Sequence, residues 1–203
     1  MANTTGAFGL TPARHISGAP WNGATVKCYI SAAYATALFI GDPVLLSPTL
    51  AEKDVTGKHP TINKSAGTAG TLVRGVIVSF EPDRDDLTKI YNPASTEGYA
   101  YVCMDEDVVY EIRGDGGGTP SKVFPGQNAV MIATTAGSTV TGYSGMNLDE
   151  GTTTAPNTTQ NFTLHILSVK DSADNELADD AVYEVLLNTP TLAAGKYLGI
   201  TAS

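Results

Sequence analysis

A 203-residue chain with a formal net charge of −9 and no Lys/Arg cluster is a poor partner for phosphate backbones or anionic lipid, so neither nucleic acid nor membrane is expected as a ligand. Hydrophobic residues make up 42% but charged ones only 16%, and 21 glycines with abundant Thr, Ser and Asn fill the balance, a mixture that favours strands and turns over helices. No apolar run approaches the roughly 20 residues that span a bilayer, and MANTTGAFGL lacks a basic stretch followed by an apolar one, so no membrane span or secretory leader is expected.

Residues 1–23 show no hydrophobic period. Phe8, Leu10, Ile16 and Trp21 are spread among Gly9, Pro12, Gly18 and Pro20, and Arg14 is the only formal charge before Lys27. Such residues do not line up on a helix face or in a regular hairpin. An extended N-terminal arm laid on another surface is predicted, with a strand packed on the chain's own domain as the alternative. Deleting residues 2–20 is then expected to leave the remaining β domain folded.

The β-rich domain is expected over 24–189. Ala24–Ser31 alternates and reads as a first strand with Val26, Cys28 and Ile30 on one face, whereas Ala33–Ile40 suits a short helix or a strand entry equally. Gly41-Asp42-Pro43 is a turn, Val44-Leu45-Leu46 a buried strand stopped by Pro48, and Thr49–Gly70 a long loop. Leu72–Phe80 is the most hydrophobic strand candidate, and Asp83–Thr88 suits a helical turn. Tyr99–Arg113 reads as two strands, or one long strand bent at Asp105-Glu106-Asp107, ended by the glycine-rich run 114–118. Short strands follow at Ala129–Thr134 and Ser138–Gly142, with Gly145–Gln160 as an exposed Thr-rich loop. Phe162–Val169 and Ala181–Asn188 form a closing pair, and Pro190 sets off a second arm over 190–203. Short strands separated by frequent turn signals predict an all-β barrel or sandwich with extended terminal arms.

Little in the chain points to reaction chemistry. Cys28 and Cys103 sit on separate strand-like runs and read as buried free thiols. His15, His59 and His165 have no ligand spacing between them. Three acidic groups, Asp83/Asp85/Asp86, Asp105–Asp107 and Asp171–Asp180, depart from the calcium-loop order and read as solvated corners that guard strand edges. Gly142-Tyr143-Ser144-Gly145 misses the nucleophile-elbow register, and the glycine run lacks the Lys-Ser/Thr of a phosphate loop. No catalytic residue, cofactor or metal is expected. A faint echo between the two stretches 77–112 and 166–185 is what strand composition alone produces.

The segments GAFGLTPARHISGAPWNG, YATALFIGDPVLL, GVIVSFEPD, YNPASTEGYAYVCMDED and DNELADDAVYEVLLN, in this order, resemble a family of small structural proteins of tailed bacteriophages: capsid decoration, or cement, proteins. The resemblance spans roughly Gly6 to Asn188 and leaves out 49–70 and the tail. It implies a β-rich virion protein on the outer surface of the head, made in the bacterial cytoplasm. Its partners would be the major capsid protein and further copies of itself, trimer favoured over dimer. Phe8, Leu10, Arg14, Ile16 and Trp21 are the expected capsid or subunit contacts. The competing expectation is a carbohydrate- or receptor-binding module, with Tyr91, Tyr99, Tyr101 and Tyr143 as a sugar platform.

Overall fold

The computed structural model describes residues 3–83, 86–133 and 135–188. Apart from one 3-10 turn at Leu50–Glu52, every regular element among them is a strand, and all ladders are antiparallel. The first five-stranded sheet joins β1 (Thr11–His15), β7 (Val108–Arg113), β12 (Val182–Leu187), β11 (Leu164–Val169) and β8 (Asn128–Ala129), in that spatial order. The second joins β2 (Val26–Ile30), β6 (Gly98–Cys103), β5 (Gly75–Phe80), β3 (Pro43–Leu46) and β4 (Ile62–Lys64). A two-stranded ribbon of β9 (Met131–Ala133) and β10 (Met146–Leu148) completes the set.

Tyr99–Arg113 is two strands, and they belong to different sheets. The acidic corner between them is where the chain crosses, closed by an Asx turn in which the Asp107 amide donates to Asp105 Oδ1 at 3.0 Å. Side-chain alternation then splits the second sheet between two cores. Val76 and Cys103 are register partners and face the large cluster with Tyr110, Ile112, Leu148, Leu164, Ile166, Tyr183 and Val185. Their neighbours Ile77 and Val102, also partners, face a smaller cluster with Cys28, Ile30, Leu38, Val44 and Ile62. Around that smaller cluster the sheet curls until Thr61, just before β4, forms one parallel bridge with Tyr29 of β2. A single bridge is not a ladder, so the architecture is a sandwich with a strongly curved second sheet rather than a closed barrel.

Several expectations change. Residues 11–21 are an extended segment that docks on the chain's own sheet: β1 pairs with β7, then reverses through a turn at 16–18 so that Pro20 bridges back to Arg14. Its bulge between Pro12 and Arg14 suits an edge strand, where a residue lacking N–H is tolerated. A hairpin-like reversal therefore exists where the scattered apolar residues argued against one, because the partner ladder, not side-chain pairing, holds it. Ala33–Ile40 is neither helix nor strand. It is an irregular crossing pinned by bridges from Leu38 to Asn92 and from Ile40 to Tyr143. The expected strand at 138–142 is a turn, and the strand lies instead at β10, inside the supposedly exposed loop, where Met146 and Leu148 are buried. The 49–70 loop contains β4. Part of the helical turn expected at 83–88, and the C-terminal arm expected over 190–203, lie outside the described residues. The echo does not mark equivalent hairpins, since β11 pairs with β12 while β5 pairs with β6 and not β7.

Candidate functional site

The five expected contact residues are dispersed by the fold. Leu10 is fully buried in the large core, and its amide donates to Gly41 O at 2.9 Å. This approach requires glycine on both segments: Gly9 at φ 69° and Gly41 at φ 87° lie back to back, and a Cβ on either would strike the other segment's backbone. Arg14 reaches across β7 to Glu184 of β12, donating to Oε2 at 2.7 Å and to Oε1 at 3.4 Å. Ser168 Oγ also donates to Glu184, and the guanidinium hydrogen bond is the main cause that holds this carboxyl below its ordinary range. Phe8 places its ring 5.5 Å from the Arg113 guanidinium, a cation–π geometry. Trp21 packs against the large core and is half-buried. Of the five, Ile16 alone is classed as exposed, at 47%. Leu10 and Arg14 thus serve the chain's own sheet.

Buried polar groups secure the loops. Asp42, with no exposed surface, accepts from Lys64 Nζ at 2.7 Å, Ser144 Oγ at 2.5 Å and the Phe39 amide at 2.9 Å, tying three distant segments together. Glu150, also buried, accepts from Tyr183 Oη at 2.7 Å and the Gly116 amide at 3.0 Å. The glycine run 114–118 wraps this carboxyl so closely that a Cβ on Gly114 would overlap it. Burial pushes the Glu150 carboxyl up to about 7, outweighing the hydrogen bonds that favour its charge. His165 is satisfied by Asn128 Oδ1 at 2.7 Å, and burial lowers its pKa. Cys28 and Cys103 are buried and free, and burial raises both thiols, Cys28 to about 12, which leaves them unreactive. Among the described residues no three His, Cys, Asp or Glu side chains converge as a metal site.

The exposed apolar side chains tell a different story from the buried ones. Loops 86–91 and 138–143 meet where Gly142 lies against Ile90, and Tyr143 of the second loop bridges to Ile40. The first loop exposes Leu87 (78%) and part of Ile90, and the second exposes Val140 (85%) and part of Tyr143. Sequence reading named Tyr143 only as a sugar platform and did not find the other three, because an apolar residue in a loop carries no period. Comparison with known families, curated proteins and solved structures finds no match to the chain.

Proposed function

We propose that this chain is a structural virion protein that attaches to the outside of a tailed-phage head and reinforces contacts between major capsid proteins. The supporting observation is the loop face at Leu87, Ile90, Val140 and Tyr143. Four large apolar side chains on two short loops, anchored to a rigid sandwich, cost solvation free energy until a partner covers them. Burying Leu87 or Val140 is worth about 1.5–3 kcal/mol, and the half-buried Ile90 and Tyr143 contribute less. A homo-oligomer, trimer favoured, would present several such faces together, and attachment at several points multiplies a modest contact into a persistent one. The N-terminal segment then contributes by shaping the edge of the sheet, with Ile16 as its outward side chain.

Sedimentation with undecorated heads tests this reading. The wild-type chain is expected to pellet with the heads. The double substitution Leu87→Asp and Val140→Asp, at the two most exposed of these side chains, should release it into the supernatant while leaving the thermal melt unchanged. Pelleting of the double variant at the wild-type level would remove the loop face from the account, and failure of the wild-type chain to pellet would remove the function.

A further inference from the structure

The β9–β10 ribbon has one bare edge. The Asp149 amide donates to Val130 O at 3.0 Å, which makes 130 and 149 a hydrogen-bonded pair. Along the antiparallel register 132 and 147 are the next such pair, so the backbone groups of Met131 and Ala133 point away from β10. The Met131 amide bears this out by donating to Gly67 O at 2.9 Å. The Met131 carbonyl and the Ala133 amide point to the same side, and among the described residues neither has a hydrogen-bond partner. Unpaired groups along an edge are a template for one more extended segment.

Against this edge lies a groove of about 660 Å³, lined by Val130, Met131, Ile132 and Met146 with Ala66 and Ala69 opposite in sequence. Methionine side chains adapt to whatever packs on them. The two charged residues of the lining are engaged within the chain. Lys64 Nζ pairs with Asp42 at 2.7 Å, and Asp149 accepts from the Gly151 amide at 2.9 Å and the Thr154 amide at 2.7 Å. The groove therefore suits an apolar occupant with a backbone to pair. One such segment starts close by. Asn188, where the described residues end, donates its amide to Thr163 O at 2.8 Å, and Thr163 Oγ1 donates to Gly67 O at 2.6 Å, between Ala66 and Thr68 of the groove wall. The residues that follow, 189–203, carry one formal charge, Lys196, and an extended backbone would put Leu192, Ala194, Leu198 and Ile200 on one face. At about 3.3 Å per residue this segment has ample reach.

We propose that the segment 191–201 of this chain adds to the free edge of β9 and lays apolar side chains of its Leu192–Ile200 face into the groove. The occupant is assigned to the same chain because its entry point lies at the groove wall. The test compares the full chain with the triple substitution Leu192→Asp, Leu198→Asp and Ile200→Asp by amide hydrogen exchange and methyl NOE spectroscopy. The Ala133 amide is expected to exchange about tenfold or more slowly in the wild-type chain than in the triple variant, because only a docked segment covers it. The wild-type chain should also show methyl contacts from Leu192, Leu198 or Ile200 to Met131, Ile132 or Met146, all lost in the variant. Ala133 exchange at the same rate in both proteins would overturn the proposal, as would absence of those methyl contacts or their appearance only between isotopically distinct copies. Should the triple variant fail to fold, the wild-type methyl contacts decide alone. No head enters the experiment, so its outcome is independent of the proposed attachment.

Discussion

At the scale of single residues, polar groups placed where water is absent make stability depend on pH and on single partners. Glu150 is the sharpest case. Its carboxyl sits near 7 in the folded chain against 4.5 when free, so the folded state binds the proton more tightly. Stability from this group is fully present below about 4.5 and is lost as pH rises through about 7, a swing of roughly 3 kcal/mol at most. Because the lowered pKa of His165 adds stability as pH rises through the same window, the expected signature is differential: between pH 5 and pH 8 the wild-type melting temperature should fall relative to that of Glu150→Gln. Wild-type and Glu150→Gln melts that run parallel over this interval would contradict the assignment. Asp42 offers a second test, because removing one member of a buried, hydrogen-bonded pair strands the other. Asp42→Ala should cost about 3–5 kcal/mol in urea unfolding, and Asp42→Asn, which keeps the Phe39 contact, less. Neither role was legible in the sequence. Glu150 sits in a Thr-rich polar stretch, and its carboxyl is buried by a glycine run 34 positions earlier and by Tyr183, 33 positions later. Asp42 looked like an ordinary turn residue, and its partners Lys64 and Ser144 lie in other segments.

At the scale of elements, the long alternating strands β2, β5, β6, β7, β11 and β12 were readable, because each is five or six residues with a clear period. The short ones were not. Three-residue β4 and β10 are too brief for alternation to register, and their neighbours supply the hydrogen bonds that define them. β1 was hidden differently: its burial pattern is set by β7, and only Leu10 beside it enters the core. This placement reverses the expectation for an N-terminal deletion. Removing residues 2–20 strips an edge strand, the Leu10 anchor and the Arg14–Glu184 pair, so the melting temperature should drop sharply rather than hold. Leu10→Ala isolates the core part of that loss and should cost about 2–5 kcal/mol. A deletion whose melt matches the full chain would show that residues 2–20 are a detachable arm after all.

At the scale of the whole molecule, the β5–β6 pair of the second sheet lines both cores, so the two clusters are joined through one sheet, and loops are fixed to it by buried polar contacts. The class of fold could be read from glycine, threonine and turn spacing alone. The proposed attachment face could not, since the loops that carry Leu87, Ile90 and Val140 meet only through the fold, where Gly142 lies against Ile90. A rigid body with an apolar loop face is suited to holding neighbouring subunits, and a head under internal pressure gains from each added contact. The most direct measurement is a reconstruction of phage particles that carry this chain. The account predicts sandwich-shaped density on the outer head surface, repeated by the capsid symmetry, with loops 86–91 and 138–143 turned onto the major capsid protein. Particles whose heads lack that density, or which hold the chain only in the tail, would contradict it.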